Sequence, residues 1–412
     1  MLSVNKNNFQ GIGGEAANKD FPSQAWIESL CEKYPCEKEL EKILNRKLRR
    51  RVSVNFSPVS LETLCDGVGK LLAVQLNEPF EIKNPRWLSG GASKMQMAFD
   101  LERRSPQGGA TLVPLVLRME PAASIVETSR LREFQLLAEM KGVVPVPEVF
   151  AVDPDGDFFP YPALICGFAK GVTKPSDAES RVSGIGVTFG NQFRDALGRQ
   201  FVEHLAKIHT YDWRGENLGA FDIPRINSNQ GVEWKINLWQ RVWEEDAREE
   251  IPLLTFVAHW LRKNMPPIDH VSILHGDYRS GNFLFDEESL EITAWLDWEG
   301  GHLGDRHDDL AYAAYSSWGC RSEDGKSFLV CGFMPEAEFY ERYEKASGLS
   351  VDKKRLDYYR IFNGYKMCCI GLATAYRAVA GGKTHQDIAL THATAVCYPI
   401  LDDLRKTLEA IV

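Results

Sequence analysis

At 412 residues the chain is longer than one hydrophobic core ordinarily supports, so two lobes or domains are expected. Its 44% hydrophobic and 25% charged residues belong to a globular class, and no stretch approaches the roughly 20 apolar residues of a membrane span. The net charge of −9 leaves no basic surplus for nucleic-acid phosphates, and nine scattered cysteines without a C-x-x-C pair point to reduced thiols in the cytoplasm rather than to a zinc site.

Residues 1–22 are polar and rich in Gly and Asn, with no apolar core of a secretory signal. From Ser23 onward, Ile27, Leu30, Cys31 and Tyr34, then Leu40, Ile43 and Leu44, recur at helical spacing with an interruption at Pro35. The second stretch ends in Arg46, Lys47, Arg49, Arg50 and Arg51, cations that suit a helix C-terminus. Another helix is expected over 61–76. Together these form an N-terminal extension, residues 1–78, whose task the residues do not disclose.

The period then changes. Met95, Met97, Phe99 and Leu101 alternate with polar or small residues, as in a half-buried strand. A Gly-rich turn at 105–109 leads to a second strand at 115–119, after Pro114. Leu131, Phe134, Leu137 and Met140 mark a helix that stops at Gly142. Segments 149–152 and 163–168 flank an Asp-Pro-Asp-Gly-Asp turn and read as a hairpin. Residues 79–170 are therefore expected to form an antiparallel sheet with one helix, and 171–412 a mainly helical lobe, an α+β architecture. Within the second lobe, 283–285 and 292–296 are short apolar runs that predict a small hairpin.

The chemistry concentrates in His275-Gly-Asp-Tyr-Arg-Ser-Gly-Asn282, then Trp295-Leu-Asp-Trp-Glu299 and Gly304-Asp-Arg-His-Asp-Asp-Leu-Ala311. Phosphoryl transfer needs a group to orient the attacking hydroxyl and oxygen ligands to hold Mg²⁺ against the phosphates. Asp277 suits the first role as general base, and Asn282 with Asp297 suits the second. Asp305 and Asp309 read as a helix cap and a brace on the loop backbone, His275 as a hydrogen-bonding partner of the backbone near Asp297, and His209 as a packed core residue.

The order H-x-D-x-x-x-x-N, hairpin, Asp at a strand end resembles the catalytic plan of protein kinases. With Gly276 in the middle and Asp297-Trp-Glu in place of D-F-G, it resembles more closely the aminoglycoside phosphotransferase and choline kinase-like family. Within that family it looks most like the branch of kinase modules found with acyl-CoA dehydrogenases and hydroxyacyl-CoA kinases. The resemblance implies a bilobal kinase-like fold that uses ATP, or GTP in its place, with Mg²⁺, and a small hydroxylated molecule as acceptor. It further implies a Gly-rich phosphate loop with Gly90, Gly91, Ser93 and Lys94, a phosphate-binding cation at Arg118 paired with Glu133, and adenine contacts from the main chain of Ile165 and Gly167 at a hinge near 165–171. Tyr278, Arg279, Trp298, Glu299 and His385 are candidates for the acceptor side. Two other readings are a metal-dependent hydrolase built on the His/Asp cluster 275–309 and a nucleotide-binding pseudokinase without turnover. The acceptor and the oligomeric state are not legible in the residues.

Overall fold

The structure, a computed structural model, describes residues 18–52, 58–76, 78–88, 94–104, 109–176, 187–214, 217–382 and 387–412. Gly90, Gly91, Ser93 and His385 lie outside the described residues. Helix α1 (Gln24–Lys33) begins where the Ser23 hydroxyl accepts a hydrogen bond from the Trp26 N–H at 3.2 Å, and it ends before Pro35. Helix α2 (Lys38–Arg51) then runs between the two lobes. Its Leu44 belongs to the large core of the second lobe, while Arg46 donates to the Pro154 carbonyl of the first at 3.0 Å.

Helix α3 (Leu61–Gln75) starts at Ser60, whose hydroxyl accepts from Thr63 N–H at 3.1 Å. Strands β1 (Phe80–Trp87), β2 (Met95–Arg104), β3 (Ala110–Met119), β4 (Val149–Asp153) and β5 (Ala163–Gly167) form a five-stranded sheet of order β1-β2-β3-β5-β4. Every neighbouring pair is antiparallel, and helix α4 (Arg130–Met140) lies between β3 and β4 in sequence. The alternation in β2 turns Met97, Phe99 and Leu101 to one face, where they share a core with Leu64, Val68 and Leu72 of α3. Helix α3 therefore completes the core of the first lobe. Strand β1 escapes a pattern-based reading because Asn84, at φ 50°, and Pro85 interrupt it at a bulge; an edge strand tolerates both.

The second lobe holds α5 (Asn191–Thr210), α6 (Gln230–Asp246), α7 (Pro252–Lys263), α8 (His307–Ala313), α9 (Glu336–Ser347), α10 (Lys353–Cys368), α11 (Tyr376–Ala380) and α12 (Asp387–Ile411). A π-helical turn, Cys369–Ala375, joins α10 to α11. Two small ribbons sit above this helical base. One pairs β6 (Ser272–Leu274) with β9 (His302–Gly304), and the other pairs β7 (Phe283–Phe285) with β8 (Ile292–Trp295). The protein is a bilobal α+β fold. Among the described residues, no helix is long and apolar enough to cross a membrane.

Candidate active site

The ribbons set the site. With Leu274 opposite His302 and Phe283 opposite Trp295, the loops 275–282 and 296–301 leave neighbouring strand ends side by side. Gly276 lies at φ +79°, and a Cβ on it would meet the Gly300 carbonyl oxygen at 2.2 Å, so this close approach of the two loops requires glycine. Asp309, on α8, braces the first loop: one carboxylate oxygen accepts from His275 N–H at 2.7 Å and the other from Gly276 N–H at 2.8 Å. Burial pushes its carboxyl up, but the hydrogen bond from His209 holds it below the usual carboxylate range.

Burial keeps the His275 imidazole below its ordinary value, hence neutral. The neutral ring fits both of its contacts: Nε2–H donates to the Leu296 carbonyl at 2.9 Å, and Nδ1 accepts from Asp277 N–H at 3.3 Å. That single side chain ties the two loops together. His209 is likewise neutral and buried, with Nε2 3.3 Å from Asp309 and Nδ1 2.8 Å from the Tyr343 hydroxyl.

Asp277 presents a carboxylate that is 31% exposed and accepts from Arg279 Nε at 3.0 Å. Asn282 donates its Nδ2 to the Asp277 carbonyl at 2.8 Å, which commits the amide nitrogen inward and leaves Oδ1 as an oxygen donor. Asp297 stands at φ 58°, ψ 47°, a left-handed conformation rare for a residue with a Cβ, and its carboxylate is 39% exposed. Arg118 reaches it from the sheet lobe at 2.7 Å.

Around Arg118 the structure builds a dense charge network. Its Nε lies 3.4 Å from Glu133 on α4, and an Nη 3.7 Å from Glu299. Burial opposes the guanidinium charge, yet Glu133, Asp297 and Glu299 together hold it well above its ordinary value. Arg130 pairs with Glu133, with Glu120 at 3.0 Å and with Glu299 at 3.2 Å. Sequence reasoning missed Arg130 and Glu120; the signal available was Arg130 one helical turn before Glu133.

Other expected site residues have the following surroundings. Lys94, taken as a phosphate helper, is buried against Glu120 at 3.1 Å, Glu299 at 3.4 Å and the Ser124 hydroxyl at 3.2 Å. Glu299, taken as an acceptor contact, is held among Lys94, Arg118 and Arg130. Tyr278 is fully buried: it stacks on Trp295 at 4.1 Å between ring centres and donates to the Phe201 carbonyl at 2.6 Å. Trp298 is equally buried, donating to the Trp295 carbonyl at 3.2 Å. Both rings are too large and apolar to face water beside a charged loop, so they fill the core beneath it. Ile165 sits inside β5 between β3 and β4, and the Gly167 N–H donates to the Glu148 carbonyl at 2.7 Å. The strand thus runs through Gly167. Arg279 remains at the site, gripping Asp277 and lying over the Trp318 ring at 4.7 Å.

The sheet face opposite α3 carries its own apolar patch of Val116, Leu164 and Cys166, joined by Leu88, Val152 and Phe168 at the lobe junction. On the other side of Asp277 opens a cavity of about 150 Å³. The histidines of the 275–309 segment do not converge on a common point. His307 bonds Asp305 at 2.6 Å, and His302 lies 3.5 Å from Asp308. Among the described residues no group of three His, Cys, Asp or Glu side chains is arranged to hold a metal ion.

The model of the phosphotransferase enzyme family matches residues 102–359, more than half of the chain. The chain belongs to the phosphotransferase enzyme family. This phosphotransferase-family chain is similar to acyl-CoA dehydrogenase family member 10 of Mus musculus, 23% identical over 290 residues that cover 65% of this chain and 25% of the relative. It is also similar to acyl-CoA dehydrogenase family member 11 of Gallus gallus, 28% identical over 189 residues, covering 44% of this chain and 24% of the relative. The chain thus spans about a quarter of the length of these curated relatives. A Ralstonia eutropha protein assigned as an aminoglycoside phosphotransferase shares the fold, with a TM-score of 0.60 at 21% identity, over 85% of this chain and 98% of that one.

Proposed function

We propose that this member of the phosphotransferase family moves the γ-phosphoryl group of ATP, or of GTP in its place, onto a hydroxyl of a small molecule. One observation carries the reading: the oxygen-bearing side chains of Asp277, Asn282 and Asp297 stand on two loops tied by His275, with Arg118 facing them across the cleft. The apolar patch around Val116, Leu164 and Cys166 suits an adenine ring above that cleft. In the reaction the acceptor oxygen bonds to the γ-phosphorus while the bond from that phosphorus to the bridging oxygen breaks. The hydroxyl proton passes to Asp277, and ADP leaves with the electron pair. Arg279 fixes the Asp277 carboxylate, and Arg118 offers a fork of donors to phosphate oxygens. Asn282 Oδ1 and the Asp297 carboxylate are hard oxygen donors that would hold Mg²⁺, which when bound neutralises phosphate charge.

The test is ADP release with Mg²⁺ across a panel of hydroxylated metabolites, read together with nucleotide-dependent melting. Acceptor-dependent ADP release is the expected result. A melting shift by ATP without turnover would instead favour the pseudokinase reading, and neither signal would remove nucleotide chemistry altogether.

A further inference from the structure

The cavity beside Asp277 has an unusual charge balance. Carboxylates reach its wall, and three of them pair with a cation. Glu37 pairs with Arg132 at 3.2 Å, Asp277 with Arg279 at 3.0 Å, and Glu299 with Arg130 at 3.2 Å. Burial and the neighbouring Glu120 push the Glu127 carboxyl up, with Lys47, Arg50 and Lys94 opposing the shift. The two lysines in the wall are placed differently. Lys235 Nζ stands 3.7 Å from Asp308 and 3.5 Å from His302 Nδ1. Lys366, only 6% exposed, has no carboxylate within 4.0 Å among the described residues. Its Nζ lies 3.4 Å from the carbonyl of Gly276, the residue before Asp277, and 4.1 Å from the centre of the Tyr312 ring. Burial holds Lys235 down to about 8, with Asp308 opposing the shift and Lys366 adding to it, so the two ammonium groups act on each other.

Lys235 and Lys366 both act on the Asp308 carboxyl, which they help hold below its usual range against burial. Two buried cations against one carboxylate leave a surplus positive charge, which is unfavourable, and here it lies next to the proposed base. We infer that Lys366 and Lys235 receive an anionic group, a carboxylate or a phosphate, carried by the acceptor, so that the acceptor is a hydroxylated anion and not an amine. This rests on the phosphoryl-transfer reading, which puts the acceptor hydroxyl at Asp277. The apolar side chains of Leu238, Trp239 and Ile370 in the same wall suit the carbon chain between hydroxyl and anion. A protonated amine would set a further positive charge against Lys366.

The experiment uses the full chain and four probes sharing a three-carbon skeleton: glycerate, glycerol phosphate, glycerol and aminopropanediol. ADP release is measured with ATP and Mg²⁺. At least one anionic probe is expected to exceed glycerol and aminopropanediol in kcat/KM by roughly tenfold, the scale of a charge-assisted hydrogen bond. Lys366→Gln raises KM for that probe by a similar factor and leaves KM for ATP within about twofold, while Lys366→Arg recovers part of the loss. Comparing glycerate with glycerol phosphate separates a carboxylate from a phosphate. Equal or better use of glycerol or aminopropanediol overturns the inference, as does an unchanged KM in Lys366→Gln. Melting without nucleotide is read in parallel. One of the two anions raises the Tm of the wild type and not of Lys366→Gln, whose fold is verified by circular dichroism and cooperative unfolding. If the wild type binds no ATP, the phosphoryl-transfer reading fails while this melting comparison still decides the anion pocket; if neither anion shifts the wild type, the anion pocket fails and the kinase reading stands.

Discussion

Asp277 and Asp297 are both partly exposed, but different neighbours hold them. Arg279 grips Asp277 from its own loop, at 3.0 Å, whereas Arg118 reaches Asp297 from the opposite lobe, at 2.7 Å. In the proposed reaction the first arrangement would orient a carboxylate toward an incoming hydroxyl, and the second would link a metal ligand to the sheet lobe. Asp277→Asn is expected to lower kcat by at least ~10²-fold while ATP-dependent melting is retained, the usual scale for a lost general base. An unchanged kcat would remove Asp277 from the chemistry. Asp297→Ala is expected to abolish the dependence of ATP binding on Mg²⁺, measured by titrating Mg²⁺ at fixed nucleotide. Retention of the full Mg²⁺ effect would exclude it as a ligand.

The loop 275–282 keeps its shape because other elements hold its backbone. Helix α8 supplies Asp309 to two backbone N–H groups, and the second loop presses Gly300 against Gly276. Gly276→Ala must both accept φ +79° and displace a carbonyl 2.2 Å from its new Cβ. The strain is on the order of 1–3 kcal/mol, and kcat is expected to fall more than ATP affinity does, since the hinge and sheet are untouched. Kinetics at saturating ATP separates the two. Beneath the loop, α5 meets β8 where Trp295 Nε1–H donates to His204 Nδ1 at 3.0 Å. Burial holds this imidazole down to about 4, against about 6.5 in the unfolded chain. The unfolded chain therefore binds the proton first as pH falls. The stability tied to the neutral ring is complete above about 6.5 and is lost toward 4. His204→Asn keeps an acceptor for Trp295 and is expected to flatten the stability-versus-pH curve in that window relative to wild type, as followed by denaturant unfolding.

Across the whole molecule, α1 and α2 fasten the lobes rather than standing apart from them. Lys33 and Tyr34 both reach Glu244 of α6, Lys47 lies 2.9 Å from Asp246, and Arg51 pairs with the same carboxylate. From the same helix Lys42 pairs with Asp155 of the sheet lobe at 2.8 Å, and Glu39 accepts from the Ser129 hydroxyl at 2.8 Å. Asp246→Ala removes the carboxylate that Lys47 and Arg51 share while Glu245 stays 2.6 Å from Lys47, and a loss of about 1–3 kcal/mol is expected from denaturant unfolding. A loss within the range of an ordinary surface change would show that α2 docks mainly through Leu44.

The catalytic order, the alternation in β2 and the hairpin β7–β8 were legible because each depends on neighbours within a few residues: a motif spacing, a period of two, a turn. The bilobal fold followed from those together with the resemblance they carry. Burial of Tyr278 and Trp298, the capture of Lys94 and Glu299 by distant carboxylates and cations, and the placement of Lys366 beside Gly276 were not legible. Each is set by chain segments tens to hundreds of residues away, as when Lys94 meets Glu299 and Arg118 meets Asp297. Local sequence determines which groups can do chemistry, because reactivity belongs to the side chain itself. Tertiary structure alone decides which of them remain facing solvent, because burial and charge pairing are properties of the neighbours that folding brings.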